Sequence, residues 1–438
     1  MNLSSPVIPE LLAPAGSFEK LVTAIHYGAD AVYLSGKKYG LRAKAANFDE
    51  AGIRQAVDYA HQRGVKVYIT VNIIAHNDDF EGLEDYLSVL READVDAIIV
   101  SDPGIMQLAR SLVPDLSIHL STQANVTNHH SAAFWIDQGA ARLNLARELS
   151  IDEIKKIISQ VDAEIEVFTH GALCISYSGR CMLSTYMTGR DANQGLCAHP
   201  CRYSYALVEE KRPGEYFPVF EDNRGTYIFN SKDLCLLKSM PQLVASGVDS
   251  LKIEGRMKSI FYVGGVVRVY RAALDYLKEL DPADWQDPDL IKMEDRFLQE
   301  IEKTGTRGIS PNFAHQRPGS DDMLYESSRL DQEYEPVAVV RETAPREARV
   351  AVELRNVCHV GEEIEYMPQS VAVERCLITQ MYNLDGNRIE RGNPGDRVYW
   401  SIDQPELSFQ INSMFRRKKS NKDNKEAKRG AENLTSAG

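Results

Sequence analysis

Between residues 10 and 253, short apolar, β-branched runs alternate with stretches of helical periodicity, and this alternation constrains the fold more than any other feature. The runs that read as strands are 10–13, 31–34, 66–71, 97–100, 117–120, 142–145, 164–168 and 250–253. Most pass at once into Gly, Asn, Asp, Ser or His, as buried parallel strands do where they enter polar loops. Residues 18–27, 50–63 and 151–158 carry apolar side chains at helical spacing, and Gly28, Gly64 and Gly139 are placed to end helices before the next strand. Eight such units over roughly 250 residues predict a (β/α)8 TIM-type barrel. A doubly wound open sheet is the competing arrangement. The seventh and eighth strands lie far apart, so residues 171–235 form an insertion on the face where such barrels place their active sites.

Helical periodicity resumes at 264–280 and 290–303. Short alternating strands then follow at 337–341, 349–353, 363–366, 374–380 and 396–400, with a hairpin turn at Leu384-Asp385-Gly386-Asn387. The expected organisation is a barrel over 1–330, a small all-β barrel-like domain over 331–412 and a disordered basic tail over 413–438. The tail, RRKKSNKDNKEAKRG from Arg416, reads as a solubilising segment or as a loose contact to a phosphate backbone.

With a net charge of −13, the surface as a whole is not built for nucleic acid, although a local basic cleft is compatible with that figure. The first residues lack the basic and apolar regions of a signal peptide, and no run approaches the ~20 apolar residues of a membrane span. A cytoplasmic, reducing setting is therefore expected. There, clustered cysteines serve as metal ligands or catalytic thiols more often than as disulfides.

Five of the seven cysteines fall between Cys174 and Cys235. Cys174, Cys181, Cys197 and Cys201 lie in a stretch rich in Gly, Ser and Asn, which can wrap thiolates around a compact centre. Soft sulfur donors suit zinc or an iron–sulfur cluster. Only Cys197 and Cys201 form a close pair, whereas a zinc ribbon needs two close knuckles, so the spacing favours a cluster. Cys235 is an alternative ligand. Cys358 and Cys376, in the β-module, read as ordinary buried cysteines.

The run Glu166-x-Phe168-x-x-Gly171, Cys174, Gly179-x-Cys181 and Ser184 resembles the signature of the collagenase-like peptidase family. The likeness extends to Glu10-Leu-Leu-Ala-Pro-Ala-Gly16, Gly28-Ala-Asp-Ala-Val-Tyr33, Ser101-Asp-Pro-Gly104 and Ser250-Leu-Lys-Ile-Glu-Gly-Arg256, and so covers most of the chain to about residue 280. The branch it looks most like implies oxygen-independent hydroxylation of the tRNA wobble uridine to 5-hydroxyuridine. That branch also implies a [4Fe–4S] cluster on Cys174, Cys181, Cys197 and Cys201, prephenate as oxygen donor, and a paralogous subunit as partner.

For such chemistry, His170, Glu166 and Glu254 are the candidate proton-handling residues. Lys252, Arg256 and Lys258 follow the last strand, and Arg42 and Lys44 follow the second, where they could hold phosphates or an acidic donor. Asn72 and His76 follow the third strand and His119 and Gln123 the fifth. Arg202, Tyr203 and Tyr205 adjoin the cysteines and could stack on a flipped base. The family's name implies peptidase activity instead. Neither His-Glu-x-x-His nor Gly-x-Ser-x-Gly occurs, which leaves Cys174 with His170 as the conceivable nucleophile and base. A non-catalytic, cluster-bearing partner protein is the third reading.

Overall fold

The computed structural model describes residues 5–41, 46–174, 176, 180–202, 207–208, 216–217, 221–222, 225–226, 232–305, 308–316, 318, 332–344, 349–404 and 406–419. Two compact units emerge, one of residues 1–295 with 307–330 and the other of 296–306 with 331–438.

In the first unit, eight parallel strands close into a barrel: β1 (Glu10–Pro14), β2 (Ala31–Ser35), β3 (Lys66–Val71), β4 (Ala97–Val100), β5 (Ser117–Leu120), β6 (Arg142–Asn144), β7 (Glu164–Gly171) and β8 (Ser250–Ile253). They follow one another in chain order, and β8 pairs with both β7 and β1 to close the ring. Two short strands, Asp233–Cys235 and Ile309–Ser310, extend the sheet beyond β7. The predicted TIM-type barrel is therefore the observed one, and the open sheet is not.

Around the strands run α1 (Phe18–His26), α2 (Glu50–His61), α3 (Leu83–Glu92), α4 (Pro103–Leu112), α5 (His129–Asp137) and α6 (Ile151–Ile158). A polar residue ahead of each of several helices accepts the first free backbone N–H groups: Ser17, Asp49, Asp102, Asn128 and Ser150 do so, Ser150 in a capping box with Glu153. The insertion contributes α7 (Leu183–Thr188), and α8 (Met240–Ala245) precedes β8. The long α9 (Ile260–Lys278) buries most of its length.

The barrel interior mixes an apolar layer of Leu12, Ala31, Tyr33, Tyr68, Ala97 and Ile99 with charged side chains. Arg142 donates to Glu10 at 2.6 Å and to Glu164 at 2.7 Å, and stands 3.5 Å from Glu166. Glu166 in turn accepts from Lys252 Nζ at 2.7 Å. Glu10 also accepts from the Tyr68 hydroxyl and from Ser250. Ionic groups withdrawn from water in this way are tolerable only when paired and hydrogen-bonded.

In the second unit, six antiparallel strands close a small barrel: β9 (Tyr334–Ala344), β10 (Arg349–Leu354), β11 (Glu363–Met367), β12 (Glu374–Tyr382), β13 (Arg397–Ile402) and β14 (Met414–Lys418), in the order β11-β14-β9-β10-β13-β12 with β12 back on β11. Val350, Val352, Trp400 and Phe415 fill it. The turn read at 384–387 is present: Asn387 N–H donates to Asn383 Oδ1, and β12 continues into Arg388–Ile389 as its antiparallel partner.

Two expectations need correction. Residues 296–306, most of α10 (Asp295–Glu302), group with the second unit, so a plain cut at residue 330 misassigns them. The tail expected from 413 begins instead with a barrel strand. Arg416 is fully buried, donating to Glu365 at 2.8 Å and to Glu300 on α10 at 3.0 Å, and two distant carboxylates thus hold what looked like a solvated basic run. The rest of that tail, residues 420–438, lies outside the described residues.

Arg416→Ala strands two buried carboxylates and should cost about 3–5 kcal/mol. Urea unfolding of the full chain measures this, and a loss under about 1 kcal/mol would contradict the assigned role.

Candidate functional site

Alternate residues of a barrel strand face inward, so the last inward residue of each strand meets its neighbours at the carboxyl-terminal mouth. Here they line a cavity of about 470 Å³, measured out to its open side. On the final strand and its continuation, Lys252, Glu254 and Arg256 follow one another at spacing two, and all three line it. Asn72, Gln123, Asn144 and Arg147 join them from the ends of β3, β5 and β6, with Tyr33 and Phe168 as aromatic walls. Among the described residues, three cations and one carboxylate give the lining a formal charge of +2, against −13 for the chain.

Each charged group is held from behind. Lys252 is 4% exposed, bonded to Glu166, with Nζ 4.6 Å from the centre of the Tyr33 ring. Arg256 is 3% exposed and donates to Thr70 Oγ1 and Asn47 Oδ1, each at 3.0 Å. The Tyr33 hydroxyl donates to Ile253 O at 2.9 Å and lies 3.4 Å from Glu254 Oε2. Two close backbone approaches depend on glycine. A Cβ on Gly16 would sit 2.2 Å from Arg256 O, and one on Gly171, at φ +116, 2.4 Å from Glu254 O.

The other sequence candidates are placed differently. Glu166 is 1% exposed and lies beneath the cavity as the partner of Lys252, not in its lining. His119 is buried edge-on to Tyr68, also outside the lining. Burial first, then Arg142 and Lys252, push its pKa well below the ordinary value. His76 is exposed, at the start of the turn Asn77–Phe80. Arg42, Lys44, Tyr203 and the Arg202 side chain lie outside the described residues.

His170 is the clearest departure. The pairing of β7 with β8 shifts register between Lys252 and Ile253, so that Lys252 faces Phe168 and Ile253 faces His170. This bulge reverses the alternation, and His170 packs against Tyr262 and Tyr270 of α9 instead of entering the mouth. Burial lowers its pKa to about 4, with Asp233 opposing and Lys258 adding to the shift.

The cysteine-bearing loop leaves β7 beside Arg147, which donates to Ala172 O at 3.2 Å. It is tied to the loop after β3, where Ile74 N–H donates to Asn193 O and Gln194 donates to Ile74 O at 2.6 Å. The loop therefore links the two sides of the rim. Internally, Asn193 donates to Cys181 O, and the Ser184 hydroxyl accepts from Ala198 N–H. Cys174 is exposed, while Cys181, Cys197 and Cys201 are half-buried. The donors are chemically those of a zinc or iron–sulfur centre. Among the described residues, however, no three His, Cys, Asp or Glu side chains are gathered closely enough to hold a metal ion. Cys235 belongs to the barrel wall, buried with its Sγ 3.7 Å from the Tyr270 hydroxyl.

Sequence reasoning missed Asn144 and Arg147. The available signal was a polar alternation, Arg142 and Asn144, inside a run read as a buried strand.

Comparison with known proteins gives two family matches, peptidase family U32 over residues 16–324 and the peptidase family U32 C-terminal domain over 332–416. A Bacillus subtilis relative named tRNA hydroxylation protein P1 is 40% identical over 397 residues, covering 90% of this chain and 92% of its own. An Escherichia coli relative named tRNA hydroxylation protein P is 37% identical over 82% of this chain and 86% of its own. Another from Escherichia coli, named 23S rRNA 5-hydroxycytidine C2501 synthase, is 37% identical over 71% of this chain and 46% of its own.

A histidine whose folded pKa is depressed opposes folding below its unfolded pKa, because only the unfolded chain takes up the proton. His170 and His26, both lowered to about 4 from 6.5, should therefore make stability fall as pH drops from 6.5 towards 4, with His119 adding to the slope. His170→Gln should flatten that slope by about one proton, or ~1.4 kcal/mol per pH unit. Urea titrations at several pH values provide the check, and an unchanged slope would place His170 in a wetter setting than the one described.

Proposed function

The chain belongs to peptidase family U32, and on that footing we propose that it is a tRNA-modifying enzyme that hydroxylates the wobble uridine to 5-hydroxyuridine. Support comes from the names of the two relatives that align over most of their length, and from the cavity itself. The observation that carries the reading is a cationic pocket with a single lining carboxylate, set at the strand ends beside the cysteine loop.

Replacing C5–H of uracil by C5–OH is a two-electron oxidation: the C–O bond of the oxygen donor breaks with the electron pair left on the donor, which is thereby reduced, and a base receives the C5 proton. In this proposal Lys252 and Arg256 bind an anionic donor, prephenate, through its carboxylates. Glu254 accepts the proton, because it is the carboxylate in the lining while Glu166 is committed to Lys252. The target base enters from the open side and is walled by Tyr33 and Phe168. Cys174, Cys181, Cys197 and Cys201 are the proposed ligands of a [4Fe–4S] cluster, which supplies Lewis-acid and electron-transfer chemistry when bound. Loading it requires the loop to tighten, since three sulfurs are not gathered in the described arrangement. The reaction as proposed uses no molecular oxygen. Partners are tRNA and a paralogous subunit, as Bacillus subtilis carries relatives named P1 and P2. Among the described residues no helix is long and apolar enough to cross a membrane, and a cytoplasmic location is part of the proposal.

The peptidase reading finds less support. Its conceivable pair is separated, with Cys174 exposed on the loop and His170 buried against α9.

Nucleosides from bulk tRNA of a strain lacking this protein should contain no 5-hydroxyuridine from this route, and the wild-type gene should restore it. Glu254→Gln should lower the rate by about 10²–10⁴-fold. Cys174→Ser or Cys197→Ser should lose iron and sulfide from anaerobically purified protein together with the modification. Unaltered 5-hydroxyuridine in the deletion strain, or an iron-free protein that cleaves collagen peptides, overturns the reading.

A further inference from the structure

Two polar groups at the cavity have no role in the reaction as described above. Asn144, at the end of β6, is 3% exposed and lines the cavity, yet its Oδ1 has no hydrogen-bond partner among the described residues. Three residues on, Arg147 lies over Phe168 with its Cζ 3.8 Å from the ring centroid. One Nη of Arg147 is engaged by Ala172 O, while its buried Nε has no hydrogen-bond partner among the described residues. Buried polar atoms left in this state cost free energy that a ligand bearing the complementary groups recovers. Both residues line the same open-sided space, Asn144 at the end of β6 and Arg147 in the loop that follows it.

The two features ask for different parts of one ligand. A guanidinium seated on a phenyl ring offers a flat, cationic shelf on which a planar ring stacks. An amide oxygen beside that shelf asks for an N–H in the plane of the ring. Uracil has such a group at N3, between two carbonyls. An anionic donor of the kind assigned to Lys252 and Arg256 has no N–H to offer.

We propose that Asn144 is the residue that reads the target base, its Oδ1 accepting the N3–H of a uracil ring laid on the Arg147–Phe168 stack. This deepens the hydroxylase reading and rests on it. The base is then bordered by Phe168 and Tyr33, with Glu254 Oε2 3.4 Å from the Tyr33 hydroxyl and Lys252 Nζ 5.6 Å from the Phe168 ring centre.

The test uses the full-length protein with anticodon stem–loop RNAs that carry uridine or 3-methyluridine at the target position. The N3 methyl removes the donor and leaves the ring able to stack. Wild-type protein should prefer uridine by about tenfold or more in kcat/KM or in affinity. In Asn144→Ala that preference should collapse to within about twofold, with the KM for the anionic donor unchanged. Arg147→Ala should weaken both RNAs alike, because stacking is blind to the methyl group, and this second variant serves if Asn144→Ala melts early. Full discrimination retained in Asn144→Ala, or an effect on the donor KM alone, overturns the base-reading role and leaves the hydroxylase reading intact. Wild-type protein that neither binds nor modifies either RNA overturns both.

Discussion

Four charged side chains inside the first barrel, Glu10, Arg142, Glu166 and Lys252, form a continuous chain of contacts from β1 through β6 and β7 to β8. These are the strands that must meet to close the ring across the long insertion. Taking such groups out of water is expensive, and the arrangement is stable only if every member keeps its partner. Register between these strands is therefore fixed by charge as well as by apolar packing. The same chain delivers Lys252 to the floor of the cavity, its Nζ held 2.7 Å from Glu166. The positive character of the pocket is in this sense a product of how the barrel closes.

The cysteine loop adds a second layer. It spans the rim from the end of β7, where the Arg147 side chain donates to Ala172 O, to the loop after β3, where Ile74 bonds Asn193 O and the Gln194 side chain. A centre assembled on that loop would lie beside the cavity that holds Glu254 and the cations. The conceivable cysteine–histidine pair of a peptidase is not in the lining, whose described residues include neither cysteine nor histidine. The described lining instead combines three cations, a carboxylate and two aromatic rings.

Most of the architecture was legible because buried parallel strands leave long apolar, β-branched runs, and all eight were located to within three residues at either end. The second barrel was legible for its alternation and its turn at 384–387. Three features were not. A bulge at Thr169 turns His170 outward, and strict alternation counted from Glu166 cannot reveal an extra residue that shows only in the pairing with β8. Arg416 reads as part of a solvated run because its partners, Glu300 and Glu365, are 116 and 51 residues away. Asn144 and Arg147 belong to no motif, and they acquire meaning only when the ends of seven strands come together. The charged residues of the last strand were legible because they recur at spacing two, one residue after another on the inward face.

The central claim is that the base to be modified enters the mouth of the first barrel. Photocrosslinking from 5-iodouridine at the wobble position of an anticodon stem–loop, followed by peptide mass spectrometry, addresses it at the reactive carbon itself. The account places the crosslinks on Tyr33 or Phe168. Crosslinks confined to the outer wall around His170, or to the second barrel, would contradict it.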